Sequence, residues 1–167
     1  MSLTEFLKWA SALHVSTGKA ALPTNFFARV GSAQTFPSSS TFPLHFDTLD
    51  YDNGGFFNAG SHQYNPKIAG VYSFALQLGV SLPADTGGAV RSVLFLNGNG
   101  GTLLGVTPYI SLEAGKVAVI PPLVLNAQMN GDTDYMQAYI QFNAYPGTDM
   151  ELDNATYTTY FQGFRAK

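Results

Sequence analysis

The residues able to do chemistry are few and scattered. The three histidines, His14, His45 and His62, fall in different segments. None has a second ligand at metal-binding spacing, so each reads as a packing or surface group. With no cysteine, a thiol nucleophile, a disulfide and a thiolate metal site are all excluded. "NGNGGT" (Asn97 to Thr102) offers glycines to a phosphate. It lies between two β-rich runs, and lacks both the Lys-Ser/Thr ending and the following helix whose dipole a phosphate loop needs. A hairpin loop is the better reading. There is no Gly-x-Ser-x-Gly elbow, and the serines of "FPSSSTFP" sit in what reads as an exposed loop. "DTD" at 132–134 and "DMELD" at 149–153 carry oxygens of the kind calcium takes. A solvated turn accounts for both, and no metal ligand is assigned. "NAT" at 154–156 matches a glycosylation acceptor, read as chance. The expectation is a protein that is not an enzyme and holds no cofactor.

Composition narrows the alternatives. The chain of 167 residues suits one domain with one core. Only 11% of it is charged and 46% is apolar, against about 25% charged in an ordinary globular protein. A surface so short of charge points to burial against other subunits. The net charge is −3 and the eight basic residues are spread out, so no stripe exists to bind nucleic acid. No run reaches the roughly 18 apolar residues needed for a membrane span. Glu5, Lys8 and His14 interrupt the N-terminal apolar stretch, which is a poor secretory signal. Assembly in a cytoplasm is expected.

Two elements must position whatever site exists. Leu3, Phe6, Leu7, Ala10, Leu13 and His14 recur at helical spacing, predicting an amphipathic helix from Leu3 to about Val15. Ser2 caps it with Glu5 three residues on, and Gly18 stops it. Its face packs on its own domain or docks on a neighbouring protein. With the linker "STGKAALPTN" it forms an N-terminal segment, 1–25. From Phe26 to Lys167 the helical period gives way to short β-forming runs separated by turns such as "YNPK", "NGNGG", "EAGK" and "NGDTD". Roughly eight or nine strands at this spacing indicate a β-sandwich. From Val71 to Leu82 the even positions, Tyr72, Phe74, Leu76, Leu78, Val80 and Leu82, are large and apolar, while the odd ones are mostly small or polar. The even face must enter the core. Met136, Ala138, Ile140 and Phe142 repeat the pattern; Tyr135, Gln137, Tyr139 and Gln141 form a second, aromatic-bearing face suited to contact between subunits.

"YNPKIAGVYSF" resembles the complement C1q globular domain, with its Tyr-Asn turn and Gly-x-Tyr-x-Phe opening a central strand. "FDTLDYDNGGFFN", "VLNAQMNGDTDYMQAYIQF" and the closing "YFQGFRA" follow in the family's order, so the resemblance spans residues 26–167. It implies an all-β fold, a ten-strand jelly-roll sandwich related to tumour necrosis factor (C1q/TNF-like), assembled as a homotrimer. No collagen-like repeat precedes Phe26. Such stripped versions resemble the trimeric modules of bacteriophage virions. The leading expectation is therefore a non-enzymatic virion structural protein that decorates or cements the capsid surface. Leu3, Phe6, Leu7, Trp9, Ala10 and Leu13 would dock on the shell. Phe26, Tyr139, Tyr157 and Phe161 are the expected trimer contacts. The alternatives are a receptor-binding tip of a head or tail fibre that meets host surface glycan or protein, and a soluble C1q-like lectin. No nucleic acid and no membrane insertion are expected.

Overall fold

The computed structural model describes residues 24–37, 40–82, 87–144, 149–152 and 158–166. The expected helix, its docking residues Leu3 to Leu13, and Tyr157 lie outside these. The described residues form strands and turns, and none of their segments is a helix long and apolar enough to cross a membrane.

The strands are β1 (Asn25–Arg29), β2 (Gln34–Phe36), β3 (Ser40–Pro43), β4 (Thr48–Asp52), β5 (Phe57–Asn58), β6 (Gln63–Tyr64) and β7 (Gly70–Ser81). They continue with β8 (Gly88–Leu96), β9 (Thr102–Val106), β10 (Ile110–Leu112), β11 (Val117–Met129), β12 (Met136–Ala144), β13 (Met150–Leu152) and β14 (Tyr160–Arg165). The first sheet runs β2-β13-β7-β14-β1-β4, with β11 paired to β7. Because β11 follows β7 from Ser81 to Gly70, β13 and β14 lie end to end along the opposite edge of β7. The second sheet runs β10-β8-β12-β6-β5, with β3 on β12 and β9 on β8. Every described pairing is antiparallel. Two stacked sheets of this kind bury one face each and leave one face each outside.

The strand β7 shows why the sheets stack. Tyr72, Phe74, Leu76, Leu78, Val80 and Leu82 are all buried, as their even spacing predicts. Each contributes roughly 1.5–3 kcal/mol by leaving water. On β12, Met136, Ala138, Ile140 and Phe142 are likewise fully buried. An aromatic cluster joins the sheets: Phe26 stacks on Tyr64 at 4.2 Å and meets the edge of Phe161 at 4.9 Å, and Phe161 stacks on Phe74 at 5.9 Å. Such geometry adds about 0.5–1.5 kcal/mol per pair beyond the area buried. Gly163 lies under this cluster, where a Cβ would sit 2.7 Å from the Phe74 ring and 2.9 Å from that of Phe26.

The turn before β7 is held from its far side. Tyr72 donates its hydroxyl proton to the Ile68 carbonyl at 2.8 Å, and the Asn65 amide donates to the Asp134 carbonyl at 3.0 Å. Gly131, at φ 74°, lies so close to the Ala69 backbone that no side chain fits there. The "YNPK" and "NGDTD" turns are thus one packed unit.

Candidate subunit-contact surface

The outer face of the first sheet is built by the residues that alternate with the core. On β1, Phe26 and Ala28 point inward, so Asn25, Phe27 and Arg29 point out. On β14, Phe161 and Gly163 are inward, leaving Tyr160, Gln162 and Phe164 outside. The odd residues Ser73, Ala75 and Gln77 of β7 lie beside them. Across β7, Val119, Val124 and Asn126 of β11 pair with Gly79, Ala75 and Ser73. Register therefore lines up one continuous surface across five strands, from β11 to β4.

That surface is apolar where a lone subunit has no use for it. Val124 is 66% exposed, Val119 54%, Phe164 54% and Tyr51 44%. Scattered exposed aliphatics are ordinary, but a contiguous group is a sign of contact. Phe27 stacks on Tyr160 at 5.2 Å and touches Tyr51 at 6.1 Å, forming an aromatic row along β4, β1 and β14. A hollow of about 190 Å³ opens over Ala75 and Gly163, walled by Val124 and Phe164. Two polar groups of the face are occupied: Ser73 donates to Asn126, and Gln77 donates to the Thr158 carbonyl. Charge is kept to the margins, in the Arg29–Asp50 pair at 3.0 Å beside β4 and in Glu151 beside Ser81.

Three of the residues expected from sequence to make subunit contacts, Phe26, Phe161 and Tyr139, fall elsewhere. Phe26 and Phe161 have no exposed surface. They are core residues, and the outward positions belong to their neighbours Phe27 and Tyr160. Tyr139 belongs to the second sheet and is 7% exposed. Its hydroxyl accepts the Asn99 N–H at 3.2 Å and donates to Gln137 at 3.0 Å, so it serves an internal network. Burial pushes that hydroxyl's pKa up, the bond from the Asn99 N–H opposes the rise, and the neighbouring Tyr135 adds a little to it.

The candidate chemistry resolves into local structure. Asn97 and Gly98 adopt positive φ in the loop between β8 and β9, so "NGNGG" is a hairpin loop. Both carboxylate oxygens of Asp134 accept hydrogen bonds, from Asn97 and from the Asn130 N–H. Among the described residues, no three His, Cys, Asp or Glu side chains gather into a metal cluster. Nothing in the spacing of His45 and His62 signals that they meet. Their rings stack at 4.5 Å, and His62 Nδ1 lies 3.2 Å from the Phe46 carbonyl. Burial lowers the pKa of His45, and the charge of His62 lowers it further.

The sandwich, its strand order and its core define a C1q/TNF-like jelly roll, and solved structures agree. The chain is similar to murine APRIL at TM-score 0.63 and 11% identity, over 86% of this chain and 98% of that one. It is similar to Eiger TNF from S. frugiperda at 0.59 and 10%, over 87% and 94%. It is also similar to the globular domain of zebrafish complement 1qA at 0.54 and 14%, over 87% and 97%. No protein-family model and no curated protein sequence matches the chain. At these identities the shared property is the fold.

Proposed function

We propose that the chain is a non-enzymatic homotrimeric module whose subunits meet through the outer face of the first sheet. The observation that carries this reading is the largely apolar surface across β11, β7, β14, β1 and β4, with Val124 and Phe164 more than half exposed and charge confined to the Arg29–Asp50 pair at its β4 side. A three-fold contact that hid this face would remove on the order of 1,000 Å² or more from water. The low charge of the whole chain, 11%, points the same way. Sedimentation equilibrium on the full chain tests the reading. A trimer mass at micromolar concentration is the expected result, and a single-chain mass at that concentration defeats it.

Within that assembly, the role we favour is decoration or cementing of a bacteriophage capsid, on the virion surface. The anchor would be the N-terminal segment, with Leu3, Phe6, Leu7, Trp9, Ala10 and Leu13 against the shell. This rests on the sequence: an amphipathic face has to be covered, and the jelly roll resembles phage modules. Deleting residues 1–18 and measuring occupancy on undecorated capsids is the test. Lost occupancy is expected; unchanged occupancy sinks the anchoring role.

A further inference from the structure

A second surface is built on different principles. Beside β5 and β6 lies a groove of about 450 Å³ lined by Phe56, Asn58, Ser61, Gln63, Asn65 and Lys67. That volume falls within the range of small-molecule sites. Its walls are amides, a hydroxyl, the adjacent Phe56 and Phe57 and one ammonium, with no carboxylate.

The groove is held open by bonds made behind it. Asp52, the last residue of β4, accepts N–H groups from Gly54 and Gly55 with one oxygen and from Phe57 at 2.7 Å with the other. Asn58 Oδ1 accepts the Gly60 and Ser61 N–H groups. Gln137, only 8% exposed, sits at the back. Its amide donates to the Ser61 carbonyl, and its oxygen accepts from Gln63 at 3.4 Å and from Tyr139 at 3.0 Å. The Phe56 ring is set edge-on to the buried Tyr64 at 6.2 Å.

What these bonds leave over is a mixed set of donors and acceptors. Among the described residues, Asn58 Nδ2, Ser61 Oγ and Gln63 Oε1 carry no hydrogen bond. Lys67 Nζ donates to the Asp132 carbonyl at 2.9 Å, which leaves two of its three protons. Donors and acceptors held side by side, next to an aromatic ring, match vicinal hydroxyls and the apolar face of a sugar ring. We infer that this groove binds a mono- or disaccharide, and that Lys67 favours one bearing a carboxylate. The site is complete within one chain and shares no residue with the sheet face proposed for trimer contact. A trimer would present three such grooves and gain from multivalency on a glycan surface.

The test is binding of the full chain to a printed panel of neutral and carboxylate-bearing oligosaccharides, followed by titration calorimetry on those retained. Asn58→Asp keeps the oxygen that holds the Gly60 and Ser61 N–H groups and replaces the free amide donor with an anion. It is expected to weaken binding about tenfold or more, the loss of one or two good hydrogen bonds. Lys67→Gln should weaken only the acidic sugars, and Ser61→Trp should block the groove outright. Circular dichroism and melting confirm that each variant is folded. If the wild-type chain retains no saccharide, or if Asn58→Asp and Ser61→Trp bind as tightly as wild type, the assignment is wrong. Sedimentation in parallel keeps the two proposals apart. A monomer that binds sugar sinks the trimer alone, and a trimer that binds none sinks the groove alone.

Discussion

The outer faces of the two sheets are treated in opposite ways. On the second sheet the chain covers much of its own outer face: Val93 and Tyr139 are buried, Phe95 packs edge-on to Tyr139 at 5.1 Å, and Asn99 bonds back to the Tyr139 hydroxyl. Arg91 lies over the Tyr109 ring at 4.4 Å and bonds Gln141. On the first sheet Val119, Val124 and Phe164 are left bare, and no described segment crosses them. Both faces are rich in aromatics, so composition does not separate them. What separates them is whether the chain spends its own loops on the covering. A face satisfied from within is finished, whereas a bare apolar face needs another molecule.

The sharpest way to break the comparison is to substitute residues of opposite orientation on one strand. Phe161→Ala removes a core ring and should cost about 3–5 kcal/mol in denaturant unfolding. Phe164→Asp, three residues on, should leave the unfolding of the isolated subunit nearly unchanged. It should weaken self-association by about 2 kcal/mol or more per contact, read by sedimentation. Equal effects of the two on subunit stability would erase the distinction between inside and outside. On the second sheet, Gln137→Leu strips the partners of Tyr139 and Ser61 and should cost about 1–3 kcal/mol. It should not change the assembly state if that sheet is no contact surface.

The smallest expected effect comes from the stacked histidines. His45 has a folded-state pKa below its unfolded value of about 6.5. Above that pH both states are neutral there and the pair contributes in full. As pH falls through 6.5, the unfolded chain binds a proton that the folded one resists, so stability declines toward the lowered pKa. Melting temperature should slip as pH falls below about 6.5, and His62→Gln should flatten that slope. A slope unaltered by the substitution would remove the histidine stack as its source.

Strand alternation was legible wherever one residue in two was decisively apolar. β7 and β12 satisfy that condition, and the core face of each is the one the alternation predicts from Tyr72 and Met136 onward. It failed where aromatics stand side by side. "NFFAR" and "YFQGF" each place two rings in adjacent positions, so local pattern leaves the inward one undetermined. The choice of Phe26 and Phe161 over Phe27 and Tyr160 is made by the cluster around Tyr64 and Phe74, far away in sequence. The strand β3 was hidden for another reason. Its serine, threonine and proline read as a loop, and only pairing of Ser40–Pro43 with Phe142–Tyr139 makes it a strand. The groove was invisible because its neutral residues have no motif; a turn held by Asp52 and a buried glutamine from β12 assemble it.

The register slip between Ile120 and Leu123 puts Pro121 and Pro122 into the middle of β11, the long border strand of the first sheet. Neither proline has an N–H to offer. A neighbouring chain that tried to extend the sheet sideways would find its ladder interrupted halfway. Copies crowded at high local density are thereby steered toward face-to-face assembly and away from open-ended fibrils.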